Sequence, residues 1–185
     1  MKKRNIEEGK SIYLLKVTVS DWYGSIRGRP YRTLAIPGEF TLYALAESIL
    51  DAFEFDFDHG FGFYNNIEDW AASDVRYESS TSVLTELQDS RDAAKTNVDE
   101  AFGKPKKKLL FLYDYGEEWH FVVQNTETKV SDGDTEYPEI VKSYAKAPSQ
   151  YDEDDEADDE EVKGKKEVKR ITNSNGRYLQ TTLKF

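Results

Sequence analysis

The alternation of apolar and polar positions is clearest over residues 109–123, where it predicts two strands joined by a tight acidic turn. Residues 109–113 are all apolar, which is typical of a strand that is covered on both faces. Over residues 119–123, apolar side chains recur at every second position and predict a strand with one drier face. Within the turn, Gly116 can adopt a positive φ and Asp114 can accept backbone N–H groups. We therefore predict a β-hairpin around which the sheet is built.

Shorter apolar patterns predict further strands. Residues 13–19 alternate well and predict a first strand, and residues 31–36 predict a second strand that ends at Pro37. Phe61 and Phe63 predict a short strand, in which the neighbouring glycines indicate a bulge or a close backbone approach. Together with the hairpin, these strands predict a mostly antiparallel sheet.

Residues 42–53 carry the most regular helical pattern in the chain. One continuous apolar stripe at helical spacing is formed by Leu42, Leu45, Ala46, Ile49, Leu50 and Phe53. Thr41 precedes this stripe as an N-cap, and Phe40 is placed to form a hydrophobic staple with Leu45. We therefore predict an amphipathic helix whose apolar side packs on the sheet.

The remaining segments give weaker patterns. Residues 92–102 predict a second helix, ended by Gly103 as a C′ residue and by Pro105 as a stop. Residues 65–80 are polar and predict a loop, whereas residues 138–144 suit either a short helix or an extended segment. The order of elements predicts a single α+β domain.

This predicted domain covers residues 10–150, with a mostly antiparallel sheet packed against helix 42–53 and the second helix near 92–102. Residues 151–170 form a charged, low-complexity segment, and we expect them to be solvated and flexible. Residues 171–185 predict a C-terminal strand.

The net charge of −11 is concentrated in one tract. Residues 152–161 are all acidic except Ala157, so this tract supplies −9 and leaves −2 for the rest of the chain. Such a tract does not bind phosphate, because that affinity requires clustered Lys and Arg. A small basic face on the folded domain remains compatible with this charge distribution.

The chain has no cysteine, which excludes disulfides, thiolate metal sites and cysteine nucleophiles. No apolar run follows the basic start at residues 2–4, so a signal peptide is not expected. No stretch approaches the apolar length needed to cross a bilayer. We therefore expect a cytoplasmic protein with no membrane partner.

Five short motifs carry a resemblance to one protein family. They are Tyr-Leu-Leu-Lys-Val at 13–17, Pro-Tyr-Arg-Thr-Leu-Ala-Ile-Pro at 30–37, Thr-Leu-Tyr-Ala-Leu at 41–45, His-Gly-Phe-Gly-Phe at 59–63 and Tyr-Asp-Tyr-Gly-Glu-Glu-Trp-His-Phe at 113–121. Over residues 13–154 the chain resembles the plasmid ORF-three-like family, first named from a root-inducing plasmid. The resemblance implies an α+β fold and a link to mobile genetic elements, since such proteins are often encoded on plasmids or beside transposition genes. It implies no established activity.

The chain departs from the family motifs at two histidines. Phe61 and Phe121 stand where the family has histidine, and His120 lies one place early. An offset of one residue in a strand moves a side chain to the opposite face of the sheet. These departures weaken any metal or acid–base role that is built on the family's histidines.

The candidate site combines the acidic turn, both histidines of the chain and one arginine: Asp58, His59, Asp114, Gly116, Glu117, Trp119, His120 and Arg32. Imidazole and carboxylate groups together suit a divalent metal ion. The spacing matches no strong metal motif, and a turn carboxylate, solvated glutamates and a strand histidine explain the same residues. We favour this structural interpretation and predict no cofactor, with a divalent metal ion as the alternative.

A modest basic patch is the other candidate, formed from Arg27, Arg29, Arg32 and residues 106–108, with Trp22, Tyr23 and Tyr31 near some of them. Arginine together with aromatic residues suits single-stranded nucleic acid. The electrostatic footprint that usually marks such binding is not visible in the sequence, so nucleic acid is not the favoured partner.

The leading interpretation is a small cytoplasmic binding or accessory module with an unknown ligand or protein partner. The alternative is a metal-assisted hydrolase that uses His59, Asp114, Glu117 and His120.

Overall fold

The computed structural model describes residues 2–20, 26–79 and 90–151 of the chain. The predicted charged segment from residue 152 onward and the predicted C-terminal strand at 171–185 lie outside the described residues. All elements named below belong to the unit that spans Met1–Gln150. In chain order they are β1 (Arg4–Asn5), β2 (Ser11–Ser20), β3 (Tyr31–Pro37), α1 (Leu42–Phe53), β4 (Phe61–Tyr64), a 3₁₀ turn (Trp70–Ala72), β5 (Arg76–Glu78), β6 (Arg91–Asp92), α2 (Val98–Phe102), β7 (Lys108–Tyr113), β8 (Trp119–Val130), β9 (Glu136–Tyr137) and β10 (Glu139–Tyr144).

Eight of the described strands form one sheet in the order β10-β3-β2-β8-β7-β4-β5-β6, and β1 pairs separately with β9. Neighbouring strands in the large sheet are antiparallel except β5 and β6, which are parallel. The predicted hairpin lies at its centre, where Tyr113 at the end of β7 pairs with Trp119 at the start of β8. The described residues therefore form a sheet-dominated fold with a mostly antiparallel sheet and two helices.

Helix α1 has the bounds that its apolar stripe predicts. Thr41 is the N-cap, and its Oγ1 accepts a hydrogen bond from the Ala44 N–H at 3.2 Å. Leu45, Ile49 and Phe53 are fully buried along the helix side that faces the sheet. Phe53 meets Phe121 of β8 edge-on with 5.2 Å between ring centroids, which identifies the face of the sheet that α1 covers.

The opposite face of the sheet, here called the second face, is covered over one half only. On β7, Leu110 and Leu112 turn to this face and pack with Tyr64 in a separate apolar cluster. Trp70 and Tyr115 cover that cluster from outside. The prediction of a strand covered on both faces is thus confirmed for β7. The other half of the second face, formed by β10, β3, β2 and β8, carries mostly polar side chains that are partly or fully exposed.

The second predicted helix is wrong over its first half. Residues 91–92 form the short strand β6, and only Val98–Phe102 is helical. Asp92 redirects the chain, because its Oδ1 accepts the Ala94 N–H at 2.8 Å in a local turn that competes with the helix. Gly103 caps α2 in a right-handed conformation with φ −59°, whereas a glycine at C′ is commonly left-handed.

Strand pairing corrects one further prediction and decides between the two alternatives left open for another. The segment predicted as a loop over 65–80 contains the 3₁₀ turn at Trp70–Ala72 and the strand β5, which pairs with β4. Residues 139–144 form the strand β10, which settles the choice between helix and extended chain. In the part of the chain that the structure describes, no helix is long and apolar enough to cross a membrane.

Candidate functional site

His59 lies between two carboxylates beside the central hairpin. Its Nδ1 is 2.6 Å from Asp58 Oδ1, and its Nε2 is 3.7 Å from Asp114 Oδ2. The hydroxyl of Tyr113 accepts the backbone N–H groups of Asp58 and His59 at 3.0 and 3.2 Å. Burial raises the pKa of Tyr113 to about 12, and its hydroxyl donates to Asp58 Oδ1 at 2.8 Å. The structure therefore brings three of the predicted candidates together: Asp58 and His59 lie on a loop held by the buried Tyr113, and Asp114 lies in the adjoining acidic turn.

The acidic turn differs from its prediction in the position of its left-handed residues and in its length. Asp114 Oδ1 accepts the Gly116 N–H at 2.9 Å, as the sequence predicts. The left-handed residues are Asp114 and Glu118, with φ 55° and 52°, and Gly116 is not among the residues of positive φ. The Glu118 N–H donates to the Asp114 carbonyl at 2.7 Å, which closes a longer turn than expected. The carboxylate of Asp114 thus has a structural role in closing the hairpin.

His120 lies away from this group. It pairs in register with Leu112, so its side chain lies on the second face, whereas Tyr113 contributes to the core on the α1 side. The buried imidazole of His120 has its Nε2 3.8 Å from Glu118 Oε2, and Glu117 is exposed in the turn. His59, Asp114, Glu117 and His120 therefore do not converge as the hydrolase alternative requires. In residues 2–20, 26–79 and 90–151, no group of three or more His, Asp or Glu side chains is arranged to hold a metal ion.

Arg32 and Trp119 are both packed into the fold. The Arg32 guanidinium donates to the carbonyls of Ala52 at 3.1 Å, Tyr144 at 3.2 Å and Ala145 at 3.1 Å. It thereby ties the end of α1 to the end of β10. Trp119 is half-buried and meets the ring of Phe55 edge-on, with 4.8 Å between centroids.

A buried polar network supports the covered half of the second face. The Tyr64 hydroxyl donates to Glu78 Oε1 at 2.8 Å and lies 2.9 Å from the Tyr115 hydroxyl. Burial is the largest cause that raises the pKa of Tyr64 above its ordinary value. The sequence gives no signal for this network, because its residues come from β4, β5 and the acidic turn.

The open half of the second face carries two rows of side chains that run across the strands. The strand register places one row on β10, β3, β2, β8 and β7 as Lys142, Thr33, Lys16, Gln124 and Lys108. The neighbouring row, on β10, β3, β2 and β8, consists of Tyr144, Tyr31, Thr18 and Val122. Every second strand in the first row thus provides a lysine, at a spacing of roughly 10 Å, or two strand separations.

The tyrosines of the second row are stacked against each other and against cations. Tyr31 and Tyr144 have ring centroids 5.3 Å apart at an interplanar angle of 22°. Lys16 Nζ lies 4.3 Å from the centroid of the Tyr31 ring, and Lys142 Nζ lies 5.7 Å from it. Tyr144 is 55% exposed, so its ring presents aromatic surface to solvent.

A shallow groove of about 290 Å³ lies next to the tyrosine row. The described residues that line it include three cations and no acidic side chain: Lys16, Thr18, Val19, Ser20, Arg29, Lys108, Val122 and Gln124. We call Lys16, Arg29, Tyr31, Lys108, Lys142 and Tyr144 together the basic face. Glu139 and Glu127 lie in the row beyond the lysines, opposite Ala35 and Leu14, and mark where the basic face ends.

The basic patch that the sequence proposes is only partly the one that the structure assembles. Arg32 is buried on the α1 side, whereas Arg29 and Lys108 contribute to the basic face. Lys16 and Lys142 were missed. Their signal is the alternation of β2 and β10, which places each lysine on the same face as the tyrosine or threonine two residues away. The pairing that joins these two strands through β3 is not visible in the sequence.

Comparisons with known proteins support the fold. A crystal structure of a protein of unknown function from Methanosarcina mazei Go1 matches with a TM-score of 0.60 and 18% identity, over 77% of this chain and 73% of that one. At this identity the likeness shows the fold alone. No curated protein sequence matches the chain. The family described as plasmid pRiA4b ORF-3-like protein matches residues 11–167, which confirms the resemblance drawn from the motifs, and the chain belongs to this family.

Proposed function

We propose that the chain is a small cytoplasmic binding or accessory module that takes an anionic ligand on the basic face. The observation that carries this proposal is the groove whose described lining holds Lys16, Arg29 and Lys108 and no acidic side chain. Membership of a family named from a plasmid reading frame supports an accessory role in the biology of mobile genetic elements.

The folded part of the chain is acidic overall, so an anionic ligand depends on where its cations lie. Residues 1–151 contain 18 basic and 26 acidic side chains and carry a net charge of −8. Screening at physiological salt limits the influence of an exposed charge to about 8 Å. The local arrangement of the lysines therefore decides what the basic face attracts.

The strands hold the lysines of the basic face in fixed positions, which supports anion binding. Lys16 and Lys108 lie on β2 and β7, both of which pair with β8 in the middle of the sheet. Groups held on regular strands lose little further backbone freedom when a ligand binds, which lowers the entropic cost of association. An anion that neutralises several of these lysines also releases its own counterions, so its affinity falls as salt rises.

Titration with a linear inorganic polyphosphate, which has charge but no bases, tests the proposal. We expect wild type to bind it at low salt, and the triple variant Lys16→Gln, Lys108→Gln, Lys142→Gln to bind at least tenfold more weakly. The matched control replaces three exposed lysines outside the basic face, Lys10→Gln, Lys95→Gln and Lys129→Gln, and removes the same charge. Equal weakening in both triple variants, or no binding by wild type, would overturn the proposal.

A further inference from the structure

We infer that the ligand of the basic face is single-stranded nucleic acid, whose bases stack on Tyr144 while its phosphates meet the row of lysines. This inference rests on the proposed function, because it names the class of anion that the same surface binds. It uses a feature that binding of a simple anion does not require, namely the stacked pair Tyr31 and Tyr144, of which Tyr144 is exposed.

On β10, the aromatic and the cationic side chain are spaced as the base and the phosphate of one nucleotide require. Tyr144 and Lys142 are two residues apart on β10, and both side chains lie on the second face. Two residues along a strand span roughly 6.6 Å, a separation that lets a base cover the tyrosine while its phosphate reaches the lysine. On β2, Thr18 and Lys16 place a hydroxyl and an ammonium group in the same two rows, without an aromatic ring.

The ring of Tyr144 is held in a position where a base can stack on it. Tyr31 stacks against Tyr144 and lies close to two ammonium groups, which hold it in place. Tyr144 is more than half exposed at the end of an edge strand. Base stacking on an aromatic ring tolerates every base, since all four have a π-face. The expected binding is therefore salt-dependent and weakly selective for sequence.

The polar groups of the groove favour bases over a bare polyanion. Thr18 and Ser20 provide hydroxyls, and Gln124 provides an amide with both donors and an acceptor, beside the cations. Such groups can bond the edges of unpaired bases. A duplex keeps its bases stacked and paired inside, so only its phosphates are available to this flat surface.

Fluorescence anisotropy with a short labelled oligothymidylate tests the inference. We expect Tyr144→Ala to weaken binding of this oligomer about tenfold, within the range measured for loss of one stacked base. Tyr144→Phe keeps the ring and should bind like wild type. The matched control is Tyr43→Ala, which removes an exposed tyrosine from α1 on the other side of the sheet. Thermal melting of each variant tests whether the fold is retained.

Four competitors separate this inference from the proposed function: the same oligomer with abasic sites, its duplex, the linear polyphosphate and polyglutamate. We expect the intact single strand to compete best and Tyr144→Ala to leave polyphosphate binding unchanged. Abasic and intact oligomers that bind alike, with no effect of Tyr144→Ala, would overturn the inference and leave the proposed function standing. A duplex or polyglutamate that binds as tightly as the single strand would also overturn it. If the triple variant Lys16→Gln, Lys108→Gln, Lys142→Gln binds polyphosphate as tightly as wild type, the proposed function is contradicted instead.

Discussion

At the scale of the residue, Asp114 meets two requirements of the central turn. Its backbone is left-handed with φ 55°, and its carboxylate accepts the Gly116 N–H. Asp and Asn adopt this conformation more readily than other residues that have a side chain. The expectation that Gly116 would supply the positive φ was wrong, because the turn extends to Glu118 and places its left-handed residues at both ends.

We predict that Asp114→Asn is nearly neutral and that Asp114→Ala costs about 1–3 kcal/mol of the free energy of unfolding. Asn still accepts the Gly116 N–H and tolerates a positive φ, whereas Ala loses that bond and is strained by the left-handed backbone of φ 55°. Urea unfolding of the two variants measures the difference. The control is Gly116→Ala, whose added Cβ would meet Asp114 Oδ1 at 3.3 Å and require a small adjustment. A larger loss for Gly116→Ala than for Asp114→Ala would refute this account of the turn.

At the scale of the element, the two helices show when local sequence is sufficient. Helix α1 combines a hydrogen-bonded N-cap with a stripe long enough to span three turns, and its predicted bounds are those observed. Helix α2 has five residues, too few to form without tertiary contacts. Tertiary hydrogen bonds hold it in place: the Leu42 N–H of α1 donates to the carbonyl of Thr96 just before α2, and the Asp99 N–H of α2 donates to the carbonyl of Gly38, which follows β3.

We predict that Ile49→Ala costs about 2–5 kcal/mol of the free energy of unfolding, because it leaves a cavity beneath α1. Ile49 is fully buried. Glu47→Ala, on the exposed side of the same helix, should change stability by no more than about 0.5 kcal/mol. Urea midpoints report both effects. A melting temperature of Ile49→Ala equal to that of wild type would mean that this face of α1 is not packed as described.

We predict that Glu54→Gly stabilises the protein by about 0.5–1 kcal/mol, since relief of the left-handed backbone outweighs the chain entropy of glycine. Glu54 ends α1 with φ 63° and is exposed. The backbone N–H groups of Glu54 and Phe55 donate to Asp51 and Leu50, so the cap itself does not need the glutamate side chain. Glu54→Ala, which keeps the left-handed strain, serves as the control and should show no gain. Destabilisation by Glu54→Gly would contradict this prediction.

At the scale of the whole molecule, buried tyrosines link stability to alkaline pH. Burial raises the pKa of Tyr113 to about 12, and burial together with a hydrogen bond to Asp99 does the same for Tyr13. Both groups hold their protons more tightly in the folded protein than in the unfolded chain, where the pKa is about 10. Their contribution to stability is therefore fully present below about pH 10 and is lost as the pH rises through about 12.

We predict that Tyr113→Phe reduces the loss of stability between about pH 10 and 12, because it removes one of the linked groups. Urea midpoints are measured across this pH range for the variant and for wild type. Because lysines titrate in the same range in both proteins, the difference between the two isolates the contribution of the Tyr113 hydroxyl. Tyr144→Phe removes a hydroxyl from an exposed tyrosine and is the matched control. If the urea midpoints of wild type and Tyr113→Phe fall in parallel as the pH rises, Tyr113 does not link stability to pH.

The sequence by itself determined the elements that depend on near neighbours. The hairpin, the capped helix α1 and the covered strand β7 follow from alternation, helical spacing and turn chemistry, all of which act over a few residues. The same holds for the bond between Asp114 and Gly116. The motifs that identify the family are likewise local.

Only the tertiary structure decided which side chains share a surface. Lys16 and Lys142 lie in one row because β3 pairs with both β2 and β10, and Arg32 is withdrawn to the other side by bonds to α1 and the end of β10. His120 and His59 are separated for the same reason, since the register of β7 and β8 assigns His120 to the second face. Alternation shows which residues of one strand share a face, but the partner of that strand and its register depend on how the whole sheet buries its apolar surface.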